Sequence, residues 1–256
     1  MIQARIIRDP VTRFLGYTGG IVTLLVDALR YAFTLRVRPS DVLRQAYFLG
    51  VESWPIIILT SLFTGMVISL EAAQAAVQNG LTQYVGGSVA YAEFRELGPM
   101  LTGIVFAGRA GAAVTASLGS MTVTEQIEAL QSMGVSPVKV LVTPRLLACI
   151  AMVPLLTVFG DIVGVLGGYV IAHSQAQIPQ YTYFHSVQQM TDYTDFLKGL
   201  FKAAVFGTIV AVVSCYEGFR AEGGAEGVGR VTTLAVVQSI ILIFAFNFTL
   251  SYLLFR

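Results

Sequence analysis

Charge is what this sequence has least of: Asp, Glu, Lys and Arg together make up 12% of its 256 residues, against 55% hydrophobic residues. A soluble domain carries about 25% charged residues. Half that share leaves too little polar surface to cover a compact globule in water, so the chain reads as an integral membrane protein. Histidine is nearly missing as well. His173 and His185 stand apart in a polar stretch with no metal-ligand spacing. The two cysteines, Cys149 and Cys215, lie in separate apolar runs and offer neither a disulfide framework nor a thiolate metal site. No Gly-x-x-x-x-Gly-Lys-Ser/Thr loop occurs, so this chain cannot by itself cradle ATP phosphates. The glycines between Glu222 and Arg230 lack the strand context of a dinucleotide loop and read as a tight turn. No catalytic constellation is present, and no metal site is expected. The opening residues, Met1 to Pro10, lack the apolar core and small-residue cleavage site of a signal peptide, so the chain is expected to stay uncleaved. The formal net charge of +1 says nothing about partners, and a nucleic acid is not among those expected.

Long apolar runs are abundant. Five are long enough to cross a bilayer as helices, which takes roughly 20 residues: 54–77, 97–118, 146–171, 196–216 and 231–254. Lys198 and Lys202 open the fourth, where both are expected to snorkel outward. The stretch 79–93 is a polar, Gly-containing connection with short helical potential, 173–195 is a polar loop, and 217–230 is a Gly-rich loop. Ile21 to Leu35 is too short, is interrupted by Asp27 and Arg30, and has arginines around it, which suits a helix lying in the headgroup plane. The expected fold is therefore an all-α integral membrane permease domain over 1–256. It comprises an interfacial N-terminal region (1–50), a bundle of five transmembrane helices (54–254) and a short coupling helix (122–133). With the N-terminus in the cytoplasm, eleven Lys and Arg fall on the inner side and four on the outer, with Arg109 unassigned. This places the 122–133 helix in the cytoplasm.

That helix is polar and bracketed by signals at both ends. Thr122 and Glu125 have the spacing of a capping box. Gly134 can take the left-handed cap, and Pro137 stops further helix. Val123, Ile127 and Leu130 share one side, while Glu125, Gln126 and Glu128 face elsewhere. Small residues recur every fourth position in three spans: Gly103 to Gly119, Gly160 to Ala172 and Gly199 to Ala211. Such rows let helices approach closely in lipid, both within a bundle and against a second copy. Ionisable residues inside or bordering the spans carry a functional expectation, because burying them costs roughly 3 kcal/mol. Arg95 and Glu96 sit together at the outer start of the second span, with Glu71 expected nearby, and Arg109 and Asp161 lie deeper, placed to pair.

Several segments, taken in order, resemble one family. They are Arg95-Glu-Leu-Gly-Pro-Met-Leu-Thr102, Ala107-Gly-Arg-Ala-Gly-Ala-Ala113, the block from Leu118 to Val135 with Glu-Gln-Ile-Glu-Ala-Leu at its centre, Pro144-Arg-Leu-Leu-Ala148 and the stretch from Gly223 to Val237. Together they are similar to the MlaE/YrbE permeases, the membrane subunits of ABC transporters that move phospholipid with MCE-domain proteins. Glu128 stands where many members have Asp, and Val231 where Ala is common. The resemblance implies a homodimer, two cytoplasmic ABC ATPase subunits that bind the ATP and Mg this chain does not, and an MCE-domain substrate-binding protein on the far side. It also implies that Glu125, Gln126, Ile127, Glu128 and Leu130 belong to the ATPase-coupling helix. Glu71, Arg95, Glu96 and Arg109 would belong to the lipid path or its gate. The membrane expected is a bacterial inner membrane, with a plastid inner envelope as the second setting. The alternative reading is an ion- or proton-coupled secondary transporter that uses Glu71, Arg109 and Asp161 as a charge relay.

Overall fold

The computed structural model describes residues 10–34 and 37–255. The first nine residues, with the expected uncleaved start, and Leu35, the last residue of the expected interfacial stretch, lie outside the described residues. Among the described residues every regular element is helical. Five helical stretches are long and apolar enough to cross a membrane: Pro39–Asn79, Thr82–Val123, Val138–Ala176, Tyr193–Gly218 and Gly224–Leu254. The five expected spans are thus present, each as the apolar middle of a longer helix.

Helix starts follow proline. Pro39, Pro55, Pro99 and Pro144 occupy the first turns of α2 (Pro39–Gly50), α3 (Trp54–Asn79), α5 (Gly98–Phe106) and α8 (Thr143–Ala176). In a first turn the missing N–H leaves no bond unmade. A short 3-10 turn, Val51–Ser53, joins α2 to α3. The second span is a chain of pieces: α4 (Val85–Ala92), a π-helical turn at Glu93–Leu97, α5, a second π-helical turn at Ala107–Gly111, and α6 (Ala112–Val123). It therefore begins well before Leu97. The stretch 79–93 is largely helical rather than a connection, and the turn itself is confined to Gly80 and Leu81.

Two further expectations are corrected in the same way. The polar stretch 173–195 contains helix α9 (Gln180–Met190), and the supposed loop 217–230 shrinks to five residues between α10 (Tyr193–Gly218) and α11 (Gly224–Leu254). At α9 the reason is Tyr183. Its ring is fully buried, and its hydroxyl donates to Val165 O at 3.1 Å. Gly86 and Gly87 bring α4 against the same helix, where the Gly87 N–H donates to Ser186 Oγ at 2.9 Å. Burial, with the Glu93 carboxyl second, holds the Tyr183 phenol above its ordinary range, so it remains a donor at any ordinary pH. Tyr183→Phe is expected to lower unfolding stability by about 1 kcal/mol, the net worth of one buried hydrogen bond, measured by thermal or denaturant unfolding.

Helix α1 (Pro10–Phe33) runs longer than the expected interfacial stretch. It lays Ala28, Ile21, Leu24 and Leu25 on the core formed by α5, α6, α8 and α10. Tyr17 meets Tyr216 edge to face at 5.2 Å and donates its hydroxyl to Gln238. The small-residue rows are used inside the chain. A Cβ on Gly65 would lie 1.9 Å from Gly164 O, and one on Gly207 2.6 Å from Cys149 O. α3 and α8 touch backbone to backbone, and Ser69 Oγ bridges them by donating to Gly168 O at 2.6 Å.

Candidate functional sites

The corner between the second and third spans begins where α6 ends. Thr122 does not cap the next helix, because its hydroxyl is already committed, donating to Leu118 O at 2.9 Å and to Gly218 O at 3.1 Å. Glu125 takes a left-handed conformation (φ 59°), and α7 then runs Gln126–Ser132, shorter than the expected 122–133. The expected capping box is therefore corrected to a tight corner tied to the end of α10. The closing signal lies where it was expected. Gly134 adopts φ 73°, its N–H donates to Gln131 O, and Val135 N–H donates to Leu130 O, the paired bonds of a Schellman motif. Ile127 is buried and Leu130 partly so, while Glu125, Gln126 and Glu128 are exposed. Met133 beside them is 69% exposed. The corner is held rigidly from beneath and presents two carboxylates, an amide and a thioether outward.

A second cluster joins three spans. Glu96 accepts from Lys202 Nζ at 2.9 Å, from Asn247 Nδ2 at 3.0 Å and from Ser251 Oγ at 2.7 Å. Lys202 does not snorkel outward, since it is fully buried and also donates to Arg95 O at 2.7 Å. The backbone explains that bond. In a continuous α-helix, Arg95 O would accept from residue 99, and Pro99 has no N–H to give. The lysine ammonium donates to this carbonyl and to the nearby carboxylate together. Arg95 itself turns the other way. Its guanidinium lies over Phe255 at 3.8 Å and over Tyr91 at 4.4 Å, with Asp195 Oδ1 3.8 Å from its Nε.

The remaining residues expected in the path are dispersed. Arg109 does not pair with Asp161. It forms an ion pair with Glu52 and donates to Phe48 O at 2.8 Å and Ser53 Oγ at 3.2 Å. A cation at the C-terminal carbonyls of α2 is favoured by the helix dipole. Glu71 is exposed on α3 and forms no ion pair among the described residues, so it does not join Arg95 and Glu96. Sequence reasoning missed Glu52, Lys202, Asn247 and Ser251 as partners. A usable signal existed for Lys202 alone, in the donor that Pro99 withholds four residues after Arg95.

Fold and sites define a multi-pass, all-helical membrane protein with a stiff, exposed helical corner at one end and a buried charged cross-link among its spans. The Permease MlaE family profile matches residues 42–253. A probable ABC transporter permease protein of Synechocystis is 42% identical over 221 residues, covering 86% of this chain and 84% of that protein. One of Rickettsia typhi is 39% identical over 217 residues, covering 85% and 84%. The chloroplastic protein TRIGALACTOSYLDIACYLGLYCEROL 1 of Arabidopsis thaliana is 36% identical over 221 residues, covering 86% of this chain and 63% of that protein. The chain belongs to the MlaE permease family and is a permease subunit of an ABC transporter.

Proposed function

We propose that the chain is the membrane half of an ATP-driven phospholipid transporter. In this reading it works as a homodimer on two cytoplasmic ABC ATPases and exchanges lipid with an MCE-domain partner on the opposite side. The observation that carries the coupling half is the α7 corner: two exposed carboxylates at a short helix that follows α6 directly, is tied to the end of α10 through Thr122 and is closed by a Schellman turn before the third span. Closure of the ATPases on bound ATP and Mg pushes α7, and the push reaches α6, α8 and α10 without being lost in a flexible loop. A lipid cargo is supported by the family and by the glycerolipid name of the Arabidopsis relative. In this reading the N-terminus and α7 lie in the cytoplasm of a bacterial inner membrane or the corresponding side of a plastid inner envelope. The charge-relay alternative is not favoured, because Arg109 is committed to Glu52 and does not meet Asp161.

Two substitutions at one position test the coupling. Glu125→Lys reverses the charge offered to the ATPase and keeps the strained left-handed backbone. Glu125→Gly removes the charge and relieves a conformation that costs an ordinary residue roughly 1–2 kcal/mol. Glu125→Lys is expected to uncouple ATP hydrolysis from lipid transfer in proteoliposomes by an order of magnitude or more, while the protein inserts normally. Glu125→Gly should fold at least as well as the parent and lose coupling to a smaller degree. Normal lipid transfer by Glu125→Lys would rule out a role for this corner in coupling.

A further inference from the structure

Two acids inside the spans stand apart from the cross-link. Glu93, in the first π-helical turn of the second span, and Asp161, near the middle of α8, are each 1% exposed. Glu93 Oε1 and Asp161 Oδ1 are fully enclosed and have no hydrogen-bond partner among the described residues. Among the described residues no cation answers them: Lys202 is turned to Glu96, Arg95 to Asp195, Arg109 to Glu52, and Arg145 donates to Leu141 O.

The acids are inlaid where glycines leave room. A Cβ on Gly98 would lie 1.8 Å from Asp161 Oδ1 and 2.9 Å from Glu93 O, and one on Gly164 would lie 2.9 Å from Glu93 Oε1. One helical turn beyond Gly98, Thr102 places a third enclosed oxygen, Oγ1, that also lacks a partner. It lies 3.7 Å from where a Cβ would sit on Gly160, the residue preceding Asp161. The other packed elements add no charge. α3 contributes Ser61 and Gly65, and α9 contributes the Tyr183 hydroxyl, whose hydrogen goes to Val165 O. Neither carboxyl oxygen therefore accepts a hydrogen from the hydroxyls at this junction, Thr102 included. Two unpaired carboxylates enclosed in apolar surroundings are strongly disfavoured, whereas a carboxylic acid supplies the missing donor.

We infer that Glu93 and Asp161 form a proton-holding site at the junction of α3, α5 and α8, which keeps at least one proton at neutral pH. The proton is released when that junction opens to water. One acid O–H bond then breaks, its electron pair stays on the carboxylate, and the proton passes to water.

The test uses the purified full-length protein in nanodiscs, comparing wild type with Glu93→Gln, Asp161→Asn and the double variant. A buried acid that holds its proton in the folded state and loses it on unfolding makes stability fall as pH rises. The folded-to-unfolded ratio changes by up to about tenfold per pH unit for each proton held. Apparent Tm is therefore expected to fall from about pH 5 to about pH 9 in wild type and to stay flatter in the double variant. Infrared spectra of wild type at neutral pH should show a protonated-carboxyl C=O band that the double variant lacks. The wild-type spectrum and its pH series stand alone if a variant fails to fold. No such band at neutral pH, or a wild-type Tm independent of pH, overturns the inference. Recovery of alkaline stability by sodium chloride but not by choline chloride also overturns it, since the counter-charge would then be a metal cation.

Discussion

Glu96→Ala is expected to cost about 3 kcal/mol of stability, because it strands a fully buried ammonium. Removing one partner of a buried pair costs about 3–5 kcal/mol, and the lower end applies here, since the Glu96 side chain is 39% exposed and water screens part of the loss. Lys202 would keep Arg95 O and Ser251 Oγ as neutral acceptors and have no counter-ion left among the described residues. The double variant Glu96→Gln with Lys202→Met should recover most of the loss, as uncharged replacements of similar volume often do for buried pairs. Denaturant unfolding in detergent, or the fraction surviving as a single species after heating, measures both. A Glu96→Ala protein as stable as wild type would show the cross-link to be ornamental. Under the proposed function, in which Glu96 lines the lipid path, the same substitution is also expected to lower lipid crosslinking. Reduced crosslinking implicates lipid contact only where the charge-free double variant, which keeps the fold, also shows it.

Gly65→Leu is expected to prevent assembly of α3 on α8, and Gly65→Ala to weaken it by about 3 kcal/mol, the upper end for overpacking. The added carbon meets the backbone carbonyl of Gly164, 1.9 Å away, so no side chain can rotate aside to accommodate it. The two helices would have to separate along their length, breaking the Ser69–Gly168 bond and exposing Ser61 and Ser69, both buried at this contact. In lipid no hydrophobic force drives two helices together, so close packing and such bonds carry the association. Gly19→Ala is the matched control. It lies inside α1 with open space around it, and should be neutral or stabilising by up to about 1 kcal/mol from helix propensity alone. Equal effects at the two glycines would rule out packing as the cause.

What could be read before the structure follows from solvent. The spans are legible because a backbone in hydrocarbon must bond to itself and must show apolar side chains outward, so composition and length suffice. Gly134 is legible for the same local reason, since a left-handed cap is a property of a single residue, whereas Pro137, read as a stop, instead opens the helix of the third span. Thr122 was misread because a capping box is only an offer. The hydroxyl has two better acceptors, one of them 96 residues away at Gly218. Helix α9 escaped notice because its stretch is polar and it forms a helix through contacts with α4, centred on Gly87, Ser186 and the buried Tyr183, and the extent of α4 was hidden by its short, glycine-containing run.

By itself, then, the sequence determined that this is an all-helical membrane protein, how many times it crosses, and which short helix stands out between two spans. Those properties depend on what each segment does in oil or water, and every segment meets that choice alone. Only the tertiary structure decided which charges meet. Lys202 turns inward to Glu96, Arg109 goes to Glu52, and Glu93 and Asp161 are left enclosed together with no cation among the described residues. A charge in a low-dielectric interior is governed by its nearest neighbours in space, and those neighbours come from other helices brought close by glycines that no single span reveals.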